Sequence, residues 1–333
     1  MGKLLERVVA LESALQQMQE RQEAAEGRAA AMQSERDGAQ RRANRWRGFA
    51  AVLALLVIGV APRIGHADLT LASLDQRVTV LENKLKFLHT SGTSMTIIGA
   101  NLIIRNGKGA TQTANGLGNL ILGYNGLRPL NLNGTDPNVR TGSHNLVLGD
   151  TNNYSSYGGI VAGYHDEIGK PYATVTGGIF NTAAGDYASV SGGESNTASG
   201  YAASVSGGAK NAADALRSSV SGGYQNTGHG RYASVSGGIQ NGASNDYASV
   251  SGGKLNTASG FGASVSGGYN NAASFAYSSV SGGGFNTASG LVASVSGGFS
   301  NVASGGTASV SGGLQRNAPG EYSWAAGGLF QSQ

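Results

Sequence analysis

The stretch GDYASVSGGESNTASG, Gly185 to Gly200, decides the fold. Its central SVSGG begins at Ser189 and returns at Ser204, Ser219, Ser234, Ser249, Ser264, Ser279, Ser294 and Ser309, every fifteen residues without insertion or deletion. TVTGG at Thr174 is a further copy, GIVAG at Gly159 a degenerate earlier one, and WAAGG at Trp324 the last. So strict a period means stacked, near-identical units that each contact their neighbours, rather than a globular domain.

Within one unit, Ala188 and Val190 alternate with Ser189 and Ser191, which gives a short strand one apolar and one polar face. A Gly-Gly turn and an Asn-x-Ala-x-Gly turn complete the fifteen residues, so each unit reads as one coil of a narrow, all-β solenoid. Its core is expected from the column Val190, Val205, Val220, Val235, Val250, Val265, Val280, Val295 and Val310, continued by Val175. In-register stacking follows, because every coil offers the same column to the next. A second column holds Asn181, Asn196, Asn211, Asn226, Asn241, Asn256, Asn271, Asn286 and Asn301, expected to bond amide to amide along the axis. Gly192 and Gly193 are expected to supply positive φ or close backbone approach. The column at Gly200 is looser, since Ala215, Asn245 and Phe275 occupy it.

One Val and one or two Ala per coil return little apolar burial against the entropy of ordering fifteen residues. Several solenoids packed side by side would bury more, and a parallel homotrimer does so with a single set of columns.

Upstream, Leu71, Leu74, Val78, Leu81, Leu85 and Leu88 recur at alternating spacings of three and four, a heptad seam over residues 68–90. With Leu71 at position a, Arg77 falls at g and Glu82 at e, where they can bridge neighbouring parallel helices. Arg77, Val78, Leu81, Glu82, Leu85 and Leu88 are therefore the candidate trimerisation residues. The hexapeptide RVTVLE, Arg77 to Glu82, has a counterpart in RVVALE, Arg7 to Glu12, within a second seam of Leu4, Val8, Leu11, Leu15 and Met18. Both resemble a short trimerisation motif of parallel three-stranded coiled coils. For the first copy, a two-stranded or antiparallel helix pair fits as well.

Between the seams lies an uncharged run from Gly48 to Pro62, preceded by Arg41, Arg42, Arg45 and Arg47. Its helix would rise roughly 22 Å, short of a ~30 Å hydrocarbon core unless the flanking arginines snorkel. It reads as a retained signal anchor contacting the membrane through residues 48–62, with the N-terminus cytoplasmic and the remainder exported. The alternative is a signal peptide cleaved after Gly65-His66-Ala67. The expected organisation is a helix over 1–44, the apolar segment over 45–67, the coiled coil over 68–90, an irregular β cap over 91–158 and the repeats over 159–333.

Composition is not that of an ordinary globule: 55 Gly and 13% charged residues leave little for a large apolar core, and with no Cys an exported chain must be stabilised without disulfides. The net charge of +4 does not point to nucleic acid, because residues 159–333 carry six Lys/Arg against seven Asp/Glu and form no basic stripe.

The string GDYASVSGGESNTASG resembles the head repeats of YadA-like trimeric autotransporter adhesins. The resemblance covers residues 159–328 well and 101–158 weakly, through NLILGYN at Asn119 and NLVLGDTNNY at Asn145. It implies a left-handed parallel β-roll, a tight trimer above a coiled-coil stalk, and an adhesive role. Two departures stand out: a fifteen-residue repeat with a doubled Gly, and five residues after Gly328 where the family carries a membrane-anchor barrel.

No catalytic constellation emerges. His66, His89, His144, His165 and His229 stand apart from one another, and the glycines are periodic rather than set at a strand-to-helix junction. No enzyme activity and no cofactor or metal is expected. Aromatic residues at the variable positions Tyr201, Tyr224, Tyr232, Tyr247 and Phe261 are candidate surface contacts for an extracellular protein or glycan, or packing at a trimer interface. An adhesin or structural rod is the leading expectation. The competing ones are an ice- or mineral-binding solenoid using the Ser189 and Ser191 ladders, and a passive envelope spacer.

Overall fold

The computed structural model describes residues 71–128 and 138–327. The segments read as a cytoplasmic helix (1–44) and an apolar anchor (45–67) lie outside the described residues. The chain divides into two units, residues 1–100 and 101–333.

In the first unit, α1 spans Leu71–Leu85. Leu74, Val78, Leu81 and Leu85 are all on its surface, 46–56% exposed, and Arg77 and Glu82 are exposed beside them. The seam ends earlier than its spacing suggested. Leu88 leaves the helix for β1 (Leu88–Ser91), which pairs antiparallel with β2 (Ser94–Ile97) so that Leu88 faces Ile97 and Ser91 faces Ser94. Gly92 and Thr93 form the two-residue turn, with Gly92 left-handed at φ +57°. Such a turn matches the twist of its flanking strands, and the cross-strand Leu88–Ile97 pair competes with a further helical turn. Leu88 is thus a hairpin residue and not the last rung of the seam.

The second unit is a parallel β-solenoid of about 12 coils. It opens with β3 (Leu120–Leu122), β4 (Leu146–Asp150), β5 (Asn153–Tyr154), β6 (Ile160–Tyr164) and β7 (Glu167–Ile168). From Thr174 onward each repeat adds two strands of two residues, such as Ser189–Val190 and Thr197–Ala198. The first kind joins β3, β4 and β6 in a 14-stranded sheet, and the second joins β5 and β7 in a 12-stranded sheet. Register follows the sequence period, Ser189 against Ser204 and Val190 against Val205. A third line of bridges links Tyr164, Ile179, Glu194 and their successors as far as Leu314.

Main-chain bonds run mostly one way: Ser189 N donates to Ala203 O and Ser191 N to Val205 O, each in the following coil. At two corners the direction reverses. Ser195 N donates back to Ile179 O and Ala202 N back to Asp186 O. Both corners are left-handed, φ 55° at Ser195 and 49° at Ala202, and later coils put Gln225, Tyr232 and even Val292 in the same conformation. Non-glycine residues resist this region by roughly 1 kcal/mol or more. The backward bonds, repeated coil after coil, hold the chain there.

The interior is thin. Val190, Ala198, Ala203 and Asn196 fill one coil, each at 0% exposure. Every valine of the predicted column is similarly buried, at 0–1%.

The looser column at Gly200 has a local explanation. In most coils this residue is Gly, and a Cβ at Gly200 would lie 1.9 Å from Ala215 O. Its φ is not in the left-handed region, so contact rather than dihedral freedom selects glycine. Where Ala215 and Phe275 stand there, Ser replaces the alanine three residues later. Ser218 Oγ then accepts from Ala215 N and Ser278 Oγ from Phe275 N, both at 3.2 Å. These two exceptions thus come as pairs within one turn, whereas Asn245 keeps Ala248 and its own Oδ1 accepts from Asp246 N at 2.8 Å.

Candidate binding surface

The asparagine column is an internal hydrogen-bond spine, with a pattern unlike the expected amide-to-amide ladder. Asn196 Oδ1 accepts from the backbone N–H of Asn211, 3.0 Å away in the next coil. Its Nδ2 donates to Gly192 O and Gly208 O, both at 2.9 Å. The same three bonds recur from Asn181 to Asn301, each rung 0–1% exposed. In each buried turn, as here, the carbonyl of Gly192 and the N–H of Asn211 have no main-chain partner, and one amide satisfies both while adding a second bond to Gly208 O, which already accepts from Glu194 N.

The doubled glycine separates into two positions with different requirements. Gly223 has φ +89°, and an added Cβ would lie 2.1 Å from Gly238 O and 2.5 Å from Asn226 Nδ2. Gly222 lies outside the left-handed region, and a Cβ there would meet nothing within 4 Å.

The five aromatic candidates are all exposed, between 38% and 54%, but they form two rows. Tyr201, Tyr232, Tyr247 and Phe261 lie along one corner of the coils. Tyr232 stacks on Tyr247 at 5.2 Å with rings 5° from parallel, and the row continues edge-on through Phe261 to Tyr277. Earlier on the same corner Tyr172 stacks on Tyr187, which Tyr201 meets edge-on. Tyr224 belongs to the other corner, where Lys210 Nζ lies 5.8 Å from its ring centroid and Tyr269, Phe285 and Phe299 form an edge-on chain. Phe285 and Phe299 fall in windows that vary between repeats, whereas Tyr187, Tyr269 and Tyr277 were not singled out from the sequence. Their separations of 14 to 16 residues were the available signal.

This geometry limits what the rows can bind. The two face-to-face pairs cover each other's faces and the remaining neighbours meet edge to face, so the rows offer edges and phenol hydroxyls with few faces free on both sides. Charges sit between them as pairs: Arg231 bonds Asp246 through Nε at 2.8 Å and Nη2 at 2.5 Å, and His229 Nδ1 lies 2.5 Å from Asp214 Oδ2. Asp246 is held below the usual carboxylate range by hydrogen bonds from Arg231. Among the described residues no group of three or more His, Asp or Glu is placed to hold a metal.

These features define a parallel β-solenoid with a polar internal spine and two exposed aromatic corners. No protein-family model matches the chain, and no curated protein matches it in sequence.

Proposed function

We propose that the protein is an exported, membrane-anchored fibrous rod in which three copies run parallel and in register, and that it contacts its surroundings through the lateral corners as an adhesin or structural fibre. One observation carries this reading. A Cβ at Gly207, Gly222, Gly237, Gly252, Gly267, Gly282 or Gly297 would meet nothing in its own chain within 4 Å, and none of these glycines is left-handed. Glycine nevertheless recurs there in coil after coil, beside an exposed serine such as Ser236. A constraint absent from the chain itself points to a neighbour, and one that meets every coil alike must share the fifteen-residue pitch. Another copy of this chain, parallel and in register, is the simplest such neighbour. The exposed seam of α1, with Arg77 and Glu82 flanking it, favours three copies, as does the resemblance to left-handed trimeric adhesin heads.

The variable aromatic corners then face outward. With edges and hydroxyls on offer, they suit an extracellular protein or a glycan held by hydrogen bonds, through many weak contacts along the rod.

Because the chain has no Cys, site-specific cross-linking tests the assembly directly. Ser236→Cys treated with a trifunctional maleimide should run as a covalent trimer, and Ser244→Cys, on the opposite turn, as a monomer. Equal behaviour of the two variants would remove the proposed interface. The in-register ladder of Ser189 and Ser204 favours a second reading, an ice- or mineral-binding face, only if that face is free. Thermal hysteresis by a monomeric protein would select it.

A further inference from the structure

The internal spine has one odd rung. Fifteen residues before Asn181, in the same column, stands Asp166. It takes part in the spine on both sides: its N–H donates to Asn152 Oδ1 at 2.9 Å, and its Oδ1 accepts from Asn181 N at 2.6 Å. The residue is 0% exposed. Its Oδ2 is buried and has no hydrogen-bond partner.

That orphan oxygen occupies the place where other rungs put an amide nitrogen. Asn181 Nδ2 donates to Gly177 O and Gly193 O, four residues before it and twelve after. The corresponding carbonyls for Asp166 are those of Ala162 and Gly178. A Cβ at Gly163 would lie 2.2 Å from Asp166 Oδ2 and 2.5 Å from Gly178 O, just as one at Gly178 would lie 2.5 Å from Asn181 Nδ2 and 2.3 Å from Gly193 O. An ionised carboxylate has only acceptors to offer to these two acceptors. A protonated one has a single O–H to donate, and so imitates half of the asparagine.

We propose that Asp166 is a proton-operated rung: protonated, it closes the spine by donating from Oδ2 to a main-chain carbonyl, and ionised, it leaves that bond unmade and weakens the coil stack near its N-terminal end. Burial supports this by pushing the carboxyl up to about 6, against the opposing effects of the Asn181 hydrogen bond and the Arg128 charge.

The surrounding charges are few. Arg128 donates from Nη2 to Asp166 O at 2.8 Å and from Nε to Thr151 O at 2.8 Å, and its Nη1 pairs with Glu167 Oε2 at 3.3 Å. Arg128 thus ties the preceding coil to the main chain of this rung, while Glu167 offsets part of its charge. His165 stands on the same turn, and Asp150 in the preceding coil accepts from Gly126 N. The following coil brings no charged side chain between Thr174 and Ala184.

The sign follows from linkage. The folded state holds this proton at higher pH than the unfolded chain, where an aspartate titrates near 3.8. Stability from this group is therefore full below about pH 4, falls as pH rises toward 6, and is level above that. Two pH units correspond to a change on the order of 100-fold in the folding equilibrium.

The test compares the intact chain with Asp166→Asn in the same non-ionic detergent at pH 4.5 and pH 7.5. The asparagine completes the spine without a proton. It should raise the midpoint of unfolding at pH 7.5 far more than at pH 4.5, and slow amide exchange at Glu167 and Asn181 at the higher pH only. Carbon-13 NMR of the aspartate side chains supplies a readout independent of stability, with one carboxyl titrating near 6 and absent from the variant. A variant with equal or lower stability than the parent at both pH values, or no carboxyl titrating above 5, would overturn the proposal.

Discussion

Removal of Ser234 to Ala248 should leave a folded rod one coil shorter, whereas removal of seven residues, Ser234 to Gln240, should abolish the fold of the coils around the cut. The first deletion joins Ala233 to Ser249, so Val235 is replaced in its column by Val250 and Asn241 by Asn256; Ser219-Val220 finds an identical partner in Ser249-Val250, and Thr227-Gly228 an equivalent one in Thr257-Ala258. The second joins Ala233 to Asn241, so Gly242 takes the place of Val235 and Ala248 that of Asn241, which empties the valine column and breaks the asparagine spine at the cut, with the later coils out of phase with the earlier ones. The loss is large because register carries both systems at once. Circular dichroism and scattering would read it, with a shortening of about 4.8 Å expected for the whole-coil deletion.

The second large effect concerns the doubled glycine. Gly223→Ala should cost on the order of 4 kcal/mol, since its Cβ enters a left-handed site and meets main chain that the sheet holds in place. Gly222→Ala, one residue away, meets nothing in its own chain, so it should leave the coil stack of a single chain within ~0.5 kcal/mol of the parent and place its cost on the association of the three copies, read by its dependence on protein concentration. Denaturant unfolding of the two variants separates them. If both are equally costly, the distinction between an internal requirement at Gly223 and an external one at Gly222 fails.

Much of this architecture was legible because the repeat is written without error. The spacing of SVSGG fixed the coil length, and alternation about Val190 fixed which side faced inward. What periodicity could not convey was the partner of each polar group. Asn196 was recognisable as a spine residue, but its bonding to main-chain carbonyls depends on where Gly192 and Gly208 point. Likewise the exchange of Ala for Ser at 218 and 278 has meaning only once the N–H of Ala215 and Phe275 is seen to need an acceptor. The cluster His165-Asp166-Glu167 reads most simply as an exposed turn, but the structure buries Asp166 completely; it stands fifteen residues before Asn181, and a carboxylate at the head of an asparagine column gave the spacing no sign of a spine role. Upstream, Leu88 continued a convincing seam, yet two strand residues and a left-handed Gly92 outweighed it. Heptad spacing reports which residues would face a partner, and has little to say about where a helix stops.

The aromatic positions illustrate a different limit. Sequence variation between coils marked Tyr201, Tyr224, Tyr232, Tyr247 and Phe261 as surface residues, but only three dimensions divide them between two corners and turn their rings onto one another. That stacking changes the chemistry on offer from flat platforms to edges and hydroxyls.

The central claim, that the rod is built by three copies of this chain, is tested most directly by its mass in solution. Sedimentation equilibrium of the intact protein in density-matched detergent should give three times the 33.6 kDa of one chain, unchanged on dilution through the micromolar range. A stable species of one chain mass with the coil stack intact would contradict it.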